Sequence, residues 1–226
     1  MKKMEIALRY ILFIISLFFA ALGVAFTKQG ELGVSPVSSV ANILSLKFTQ
    51  ISIGNWLIIW NCVLILGQIL ILRKNFRPIQ LLQVPLSFLF GYFTDLGMWL
   101  TSFIPVSSYP TRLIMVIVGV IILGFGVSLA VIANVIMNSG EAFVKAVADT
   151  AKKEFGNVKI AFDVSSVTLS IILSLILFNF TIRGTREGTL IAAVGTGLVV
   201  KFFTTRLKKP INSFLEKTQT NKNAVP

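Results

Sequence analysis

Nine acidic residues and no histidine occur in 226 residues, and three of those carboxylates, Asp95, Glu141 and Asp163, lie in or beside long apolar runs. A carboxylate at a bilayer centre costs about 2.5 to 3.5 kcal/mol on insertion scales, so such residues face a cavity or a partner. Asp163 has Lys159 one helical turn earlier, and both a structural ion pair and a cation or proton site fit that spacing. Asp95, followed by Gly97, is expected to stay wet through an aqueous cleft. Glu141 follows Ser139 and Gly140 at the start of a short amphipathic stretch. Its charge suits a helix N-terminal turn, and if that helix dips into the membrane Glu141 joins Asp163 in one site. Ser35 and Pro36 read as the N-cap and first residue of another short helix. Asn61, Gln68, Gln80, Gln83, Asn134, Asn138, Ser165, Ser166 and Thr168 are uncharged polar residues within apolar runs, suited to bonds between helices. Without histidine the usual general base and the commonest metal ligand are missing. The single cysteine, Cys62, lies in an apolar run, and no P-loop, CxxC or zinc signature occurs. No enzyme, cofactor or metal is expected, and the candidate substrate-binding set is Ser35, Pro36, Asn61, Asp95, Gly140, Glu141 and Asp163.

The elements that position these residues follow from composition. With 55% hydrophobic and 13% charged residues, and apolar blocks of about 20 residues rather than narrow stripes, the chain reads as a polytopic membrane helix bundle in contact with lipid. Six spans are expected near 6–27, 53–72, 81–104, 113–137, 158–180 and 188–205, with Pro85 bending the third. The first block exceeds a signal-peptide core and is expected to be retained. The stretches 35–46 and 140–155 are too short and too polar to cross and read as re-entrant or interfacial helices. The net charge of +12 lies in the connections and tail, which encodes topology rather than nucleic-acid binding. Under the six-span reading 16 of the 21 Lys and Arg residues fall on one side, placing both termini in the cytoplasm. Residues 208–226 read as a frayed basic tail.

The chain also resembles itself. Arg9 corresponds to Arg112, and Gly23-Val24 to Gly126-Val127, at an offset of 103. Gly54-Asn55 and Gly156-Asn157, the two Gly-Asn pairs, match at 102, as do Asn61 and Asp163; Gly91 aligns with Gly197 at 106. Each half, 1–107 and 108–207, then holds a span, a short helix and two spans. Three spans per half place the halves in opposite orientations. An inverted repeat with half-spanning helices aimed at the midplane is the architecture of alternating-access transporters, and a merely structural duplication is the alternative.

The segments Leu32-Gly33-Val34-Ser35-Pro36, Gly184 through Gly188-Thr189-Leu190, and Gly195-Thr196-Gly197 resemble the YczE/YyaS/YitT-type family of bacterial integral membrane proteins. The resemblance implies two related membrane halves in a bacterial cytoplasmic membrane, each with a Gly-x-(Gly/Ser)-Pro turn before a short helix and a Gly-Thr turn opening the last span. Here 79–83 replaces the first-half Gly-Thr turn, Gly140-Glu141-Ala142 replaces the second Pro-bearing turn, and the cytosolic domain of YitT proper is not expected. The expected function is transport of a small metabolite or ion. The rivals are a substrate-binding subunit for a separate ATPase module, to which Ala21-x-x-x-Ala25 could offer a docking face, and a non-transporting scaffold; a homodimer is compatible with each.

Overall fold

The computed structural model describes residues 3–220, with side chains over 4–215, so Lys2 and Lys222 of the charge pattern and the end of the tail lie outside. Among the described residues the chain forms eight α-helices: α1 (Lys3–Gln29), α2 (Pro36–Lys47), α3 (Ile53–Leu72), α4 (Gln83–Thr101), α5 (Tyr109–Ala133), α6 (Ser139–Ala151), α7 (Phe155–Leu177) and α8 (Glu187–Thr220).

The centre of the bundle is an antiparallel pair, α1 against α5, made close by missing side chains. A Cβ on Gly23 would stand 2.4 Å from the Leu123 nitrogen, one on Gly126 2.4 Å from that of Ala20, and one on Gly119 2.7 Å from that of Thr27. Lipid offers no hydrophobic drive for helices to associate, so the attraction comes from close backbone packing. Both ends of the pair carry an arginine. Arg9 donates to the Ile132 and Ala133 carbonyls at 3.2 and 3.3 Å, at the negative end of α5. Arg112 pairs with Glu31 at 2.8 Å, just beyond the end of α1. On this axis α4 packs against α1 and α8 against α5, while α2 leans on α7 and α6 on α3. Helix α3 also packs along α4, whereas α7 and α8 barely touch. A core of Ala20, Val24, Ala41, Ile53, Leu57 and Leu123 joins α1, α2, α3 and α5.

Among the described residues five helices are long and apolar enough to cross a membrane: Met4–Gln29, Ile53–Asn75, Tyr109–Ala133, Phe155–Leu177 and Glu187–Leu215. Helix α4, with 19 residues, is not among them; Gln83, Ser87, Thr94 and Asp95 dilute its apolar content. Helices α2 and α6, of 12 and 13 residues, fall short of the roughly 30 Å of a bilayer core at about 1.5 Å per residue.

Several expected boundaries move. Helix α5 starts at Tyr109 because Ser108 caps it, accepting from the Thr111 N–H, and it ends at Ala133 because Asn134 turns left-handed at φ 49°. Asn134 and Asn138 therefore leave the span to become the C-cap of α5 and the N-cap of α6. A 3-10 turn over Pro78–Leu82 precedes α4, so Pro85 falls in the first turn, where its missing N–H would have had no helical partner, and not in mid-span. The expected frayed tail is helical as far as Thr220, with Pro210 inside α8.

Gly126→Ala should lower stability by about 1 to 3 kcal/mol through overpacking against Ala20. Gly197→Ala, whose added carbon meets nothing within 4 Å, should be neutral or stabilising by up to about 1 kcal/mol. Thermal unfolding of the two variants in detergent measures the contrast.

Candidate functional site

The two short helices meet end to end. A Cβ on Gly140, in the first turn of α6, would lie 3.0 Å from Val37 Cγ1 in the first turn of α2. Ser35 is the N-cap of α2 with Pro36 next, and its hydroxyl donates to Ser38 Oγ at 3.1 Å rather than accepting from the backbone.

Each of these helix starts is fixed by polar contacts from the other half. Ahead of α2, Gly33 has φ 112° and forms an isolated antiparallel bridge with Thr185. The Gly188 N–H donates to the Leu32 carbonyl at 2.8 Å. Gly33 has no room for a side chain, since a Cβ there would meet Thr189 Oγ1 at 2.2 Å. Asn42 Nδ2 donates to the Gly184 carbonyl at 2.9 Å and accepts from Lys28 Nζ at 2.7 Å. Two of the three segments that carry the family resemblance, 32–36 and 184–190, thus lie against each other. Ahead of α6 different residues do the same work. Gln68 and Gln83, both buried, exchange bonds of 3.0 and 3.2 Å. Gln68 also donates to the Ser139 carbonyl at 3.2 Å, and the Ser87 and Ser139 hydroxyls stand 3.2 Å apart.

Between these anchored starts lies a cavity of about 590 Å³, within the range of sites for small organic ligands. Its walls are apolar, with Phe13, Leu17, Leu57, Phe90, Leu123 and Val127 among them. Ser35, Pro36, Asn61, Gly140, Glu141 and Asp163 all line it, so six of the seven residues singled out by sequence converge on one space. Asp95 does not. Its carboxylate accepts from Ser52 Oγ at 2.6 Å and from the Gly54 N–H at 2.9 Å, closing the N-terminus of α3 instead of standing in an aqueous cleft.

Asp163 is ion-paired with Lys159, as the one-turn spacing suggests, yet both remain on the cavity wall. Glu141, within electrostatic reach of both, forms no hydrogen bond or ion pair with another described residue; it sits in the first turn of α6, where the helix end favours its charge. Two lining groups were missed by the sequence reading. Trp60 Nε1 and Thr196 Oγ1 are buried without a hydrogen-bond partner in the structure, and both residues line the cavity. Buried polar atoms are nearly always satisfied, and Trp56 Nε1, Thr189 Oγ1 and Thr204 Oγ1, of residues outside the cavity lining, are unpaired in the same way. The signals for Trp60 and Thr196 were adjacency to Asn61 and a place inside Gly195-Thr196-Gly197. Among the described residues no three His, Cys, Asp or Glu converge as a metal site would require.

An all-helical bundle with five helices of spanning length and composition, enclosing a polar-floored cavity, defines a multi-pass membrane protein. The chain belongs to a family of unknown function, DUF6198, whose model matches residues 7–205. No curated protein and no solved structure matches it, and nothing beyond the motifs ties it to the YczE/YyaS/YitT-type proteins.

Gln68→Leu should cost about 1 to 3 kcal/mol by leaving Gln83 buried and unsatisfied. The double variant Gln68→Leu/Gln83→Leu should regain part of that loss, giving a non-zero coupling in a double-mutant cycle of unfolding midpoints.

Proposed function

We propose that this chain is a transporter of a small organic solute, built as six spans in a 3+3 inverted repeat, with both termini in the cytoplasm of a bacterial cell and the solute site in the central cavity. The observation that carries the reading is the convergence of Ser35, Pro36, Asn61, Gly140, Glu141 and Asp163 on one cavity at the meeting point of two half-length helices. Such helices, ending near the midplane, present unpaired N–H groups to a ligand while their carbonyl ends reach water.

The contacts support the repeat. Adding 103 to Gly23 gives Gly126, and subtracting it from Leu123 gives Ala20, so the Gly23–Leu123 contact maps onto Gly126–Ala20 with the helices exchanged. Likewise α4 on α1 maps onto α8 on α5, and α2 on α7 onto α6 on α3. Arg9 and Arg112, equivalent by the same offset, each sit at the far end of the other half's first helix. A two-fold axis in the membrane plane accounts for all of these together. Helix α4 is the sixth span, at about 28 Å for its 19 residues, with its polar groups turned to neighbouring helices.

The lining describes the solute. Apolar walls interrupted by the polar side chains of Ser35, Asn61, Glu141, Lys159 and Asp163 suit a molecule with an apolar body and a polar end.

A thermal-shift screen of metabolites and ions on the detergent-purified protein should find a ligand that raises the unfolding midpoint by mass action. Asp163→Asn should retain the fold and lose about tenfold or more in affinity and in uptake by liposomes; unchanged uptake removes Asp163 from the mechanism. For the topology, with Cys62→Ser as background, Lys47→Cys and Lys145→Cys should react with an impermeant maleimide from opposite sides of the membrane. Labelling from the same side rules out the inverted repeat.

A further inference from the structure

The two halves also differ in how their last two helices pack, and the residues there are among those that the repeat pairs. In the first half α3 lies along α4 through two glycines. A Cβ on Gly54 would meet the Gly91 carbonyl oxygen at 2.2 Å, and one on Gly91 the Gly54 carbonyl oxygen at 2.7 Å. The contact is locked by Asp95, one turn beyond Gly91, which accepts from Ser52 Oγ and from the Gly54 N–H. Any Cβ at these positions would hold the helices apart, so glycine at both is explained by the contact.

The second half keeps the glycines without the contact. Gly54 corresponds to Gly156 at the offset of 102, and Gly91 to Gly197 at 106. A Cβ on Gly156 would reach nothing nearer than Glu154 Oε1 at 4.0 Å, and one on Gly197 nothing within 4 Å. Packing in this structure therefore gives no reason for glycine at either position, each of which costs helix stability relative to alanine. The same offsets carry the lock across with new chemistry. Ser52 becomes Glu154, the N-cap of α7, and Asp95 becomes Lys201, one turn beyond Gly197. Both are exposed, and neither side chain bonds to another described residue. A hydroxyl–carboxylate pair in the closed seam is thus matched by a carboxylate–ammonium pair in the open one.

The open seam also borders the cavity. Lys159 and Asp163 of α7 and Thr196 and Gly197 of α8 line it from the two sides.

We propose that the α7–α8 seam is the cytoplasmic gate of the cavity, and that it closes by reproducing the α3–α4 contact, with Gly156 against Gly197 and Glu154 paired to Lys201. The structure is then the state open on the α7–α8 side and shut on the α3–α4 side, and the opposite state exchanges the two seams. This inference rests on the solute-site reading for its purpose, but the closure itself can be observed without any solute.

The test uses the full-length protein in lipid vesicles with Cys62→Ser as background. Glu154→Cys with Lys201→Cys, both at exposed positions, should be joined by a short bifunctional thiol reagent. Glu154→Cys with Lys208→Cys, about 10 Å further along α8, should not. In a second arm Met137→Cys, on the cavity wall, reports access by an impermeant thiol reagent. Glu154→Lys, which sets two ammoniums across the seam, should raise its labelling rate about two- to fivefold, the scale of one exposed ion pair. Glu154→Lys with Lys201→Glu should return the rate to that of the parent. No cross-linking above the control pair, or a rate that the charge exchange does not restore, overturns the gate. Uptake that persists alongside those two results leaves the transport reading standing without this gate. Closure in a protein that binds and moves no solute upholds the gate and removes the transport reading.

Discussion

The contact on which the rest of the bundle depends is the crossing of α1 and α5. Three glycines let two long apolar helices approach to backbone contact over most of their length, which in lipid supplies dispersion attraction where the hydrophobic effect supplies none. The crossing also sets the places of the other elements. Helix α4 is seated on α1 and α8 on α5, and the short helices pack on the outer pair, α2 on α7 and α6 on α3. Arg9 and Arg112 hold the crossing in register from opposite ends.

A second constraint follows from the first. Helices of 12 and 13 residues that stop inside the bundle leave four unpaired N–H groups apiece at their starts, and in a low-dielectric interior those groups and the loops before them need partners. The loop before α2 is held by backbone, the Leu32 carbonyl accepting from the Gly188 N–H and Gly33 bridging Thr185; the start of α6 is held by side chains, Gln68, itself paired with Gln83, donating to the Ser139 carbonyl and Ser87 meeting the Ser139 hydroxyl. Two chemically different solutions at equivalent places indicate that the requirement lies in the architecture rather than in a particular sequence.

What could be read from the chain beforehand was what is local. Ser35-Pro36 opens α2, Lys159 reaches Asp163 one turn away, and the apolar blocks place five spanning helices, because each depends on neighbours within a few residues. Asp95 was misread because its partners, Ser52 and Gly54, are more than forty residues distant and belong to a helix end that only packing brings near. Trp60 and Thr196 were missed for the same reason, since an orphaned donor is a property of the assembled interior. The boundary of α5 was displaced by about a turn because apolar content continues past Asn134, while the left-handed backbone at that residue ends the helix. The repeated glycines show a further limit: Gly91 and Gly197 are alike in sequence, yet one is crowded and the other open.

The ionised groups bear on what the cavity can hold. Lys159 is already neutralised by Asp163, and Glu141 stands at the start of α6 beside the start of α2, where two helix ends each contribute roughly half a positive charge. A bare ion would give up its hydration to walls of Phe13, Leu17, Phe90 and Val127, at a cost of several kcal/mol. On the transport proposal, a solute with an apolar body loses little there and gains the area it buries, and the apolar walls thus favour an organic solute over an inorganic ion.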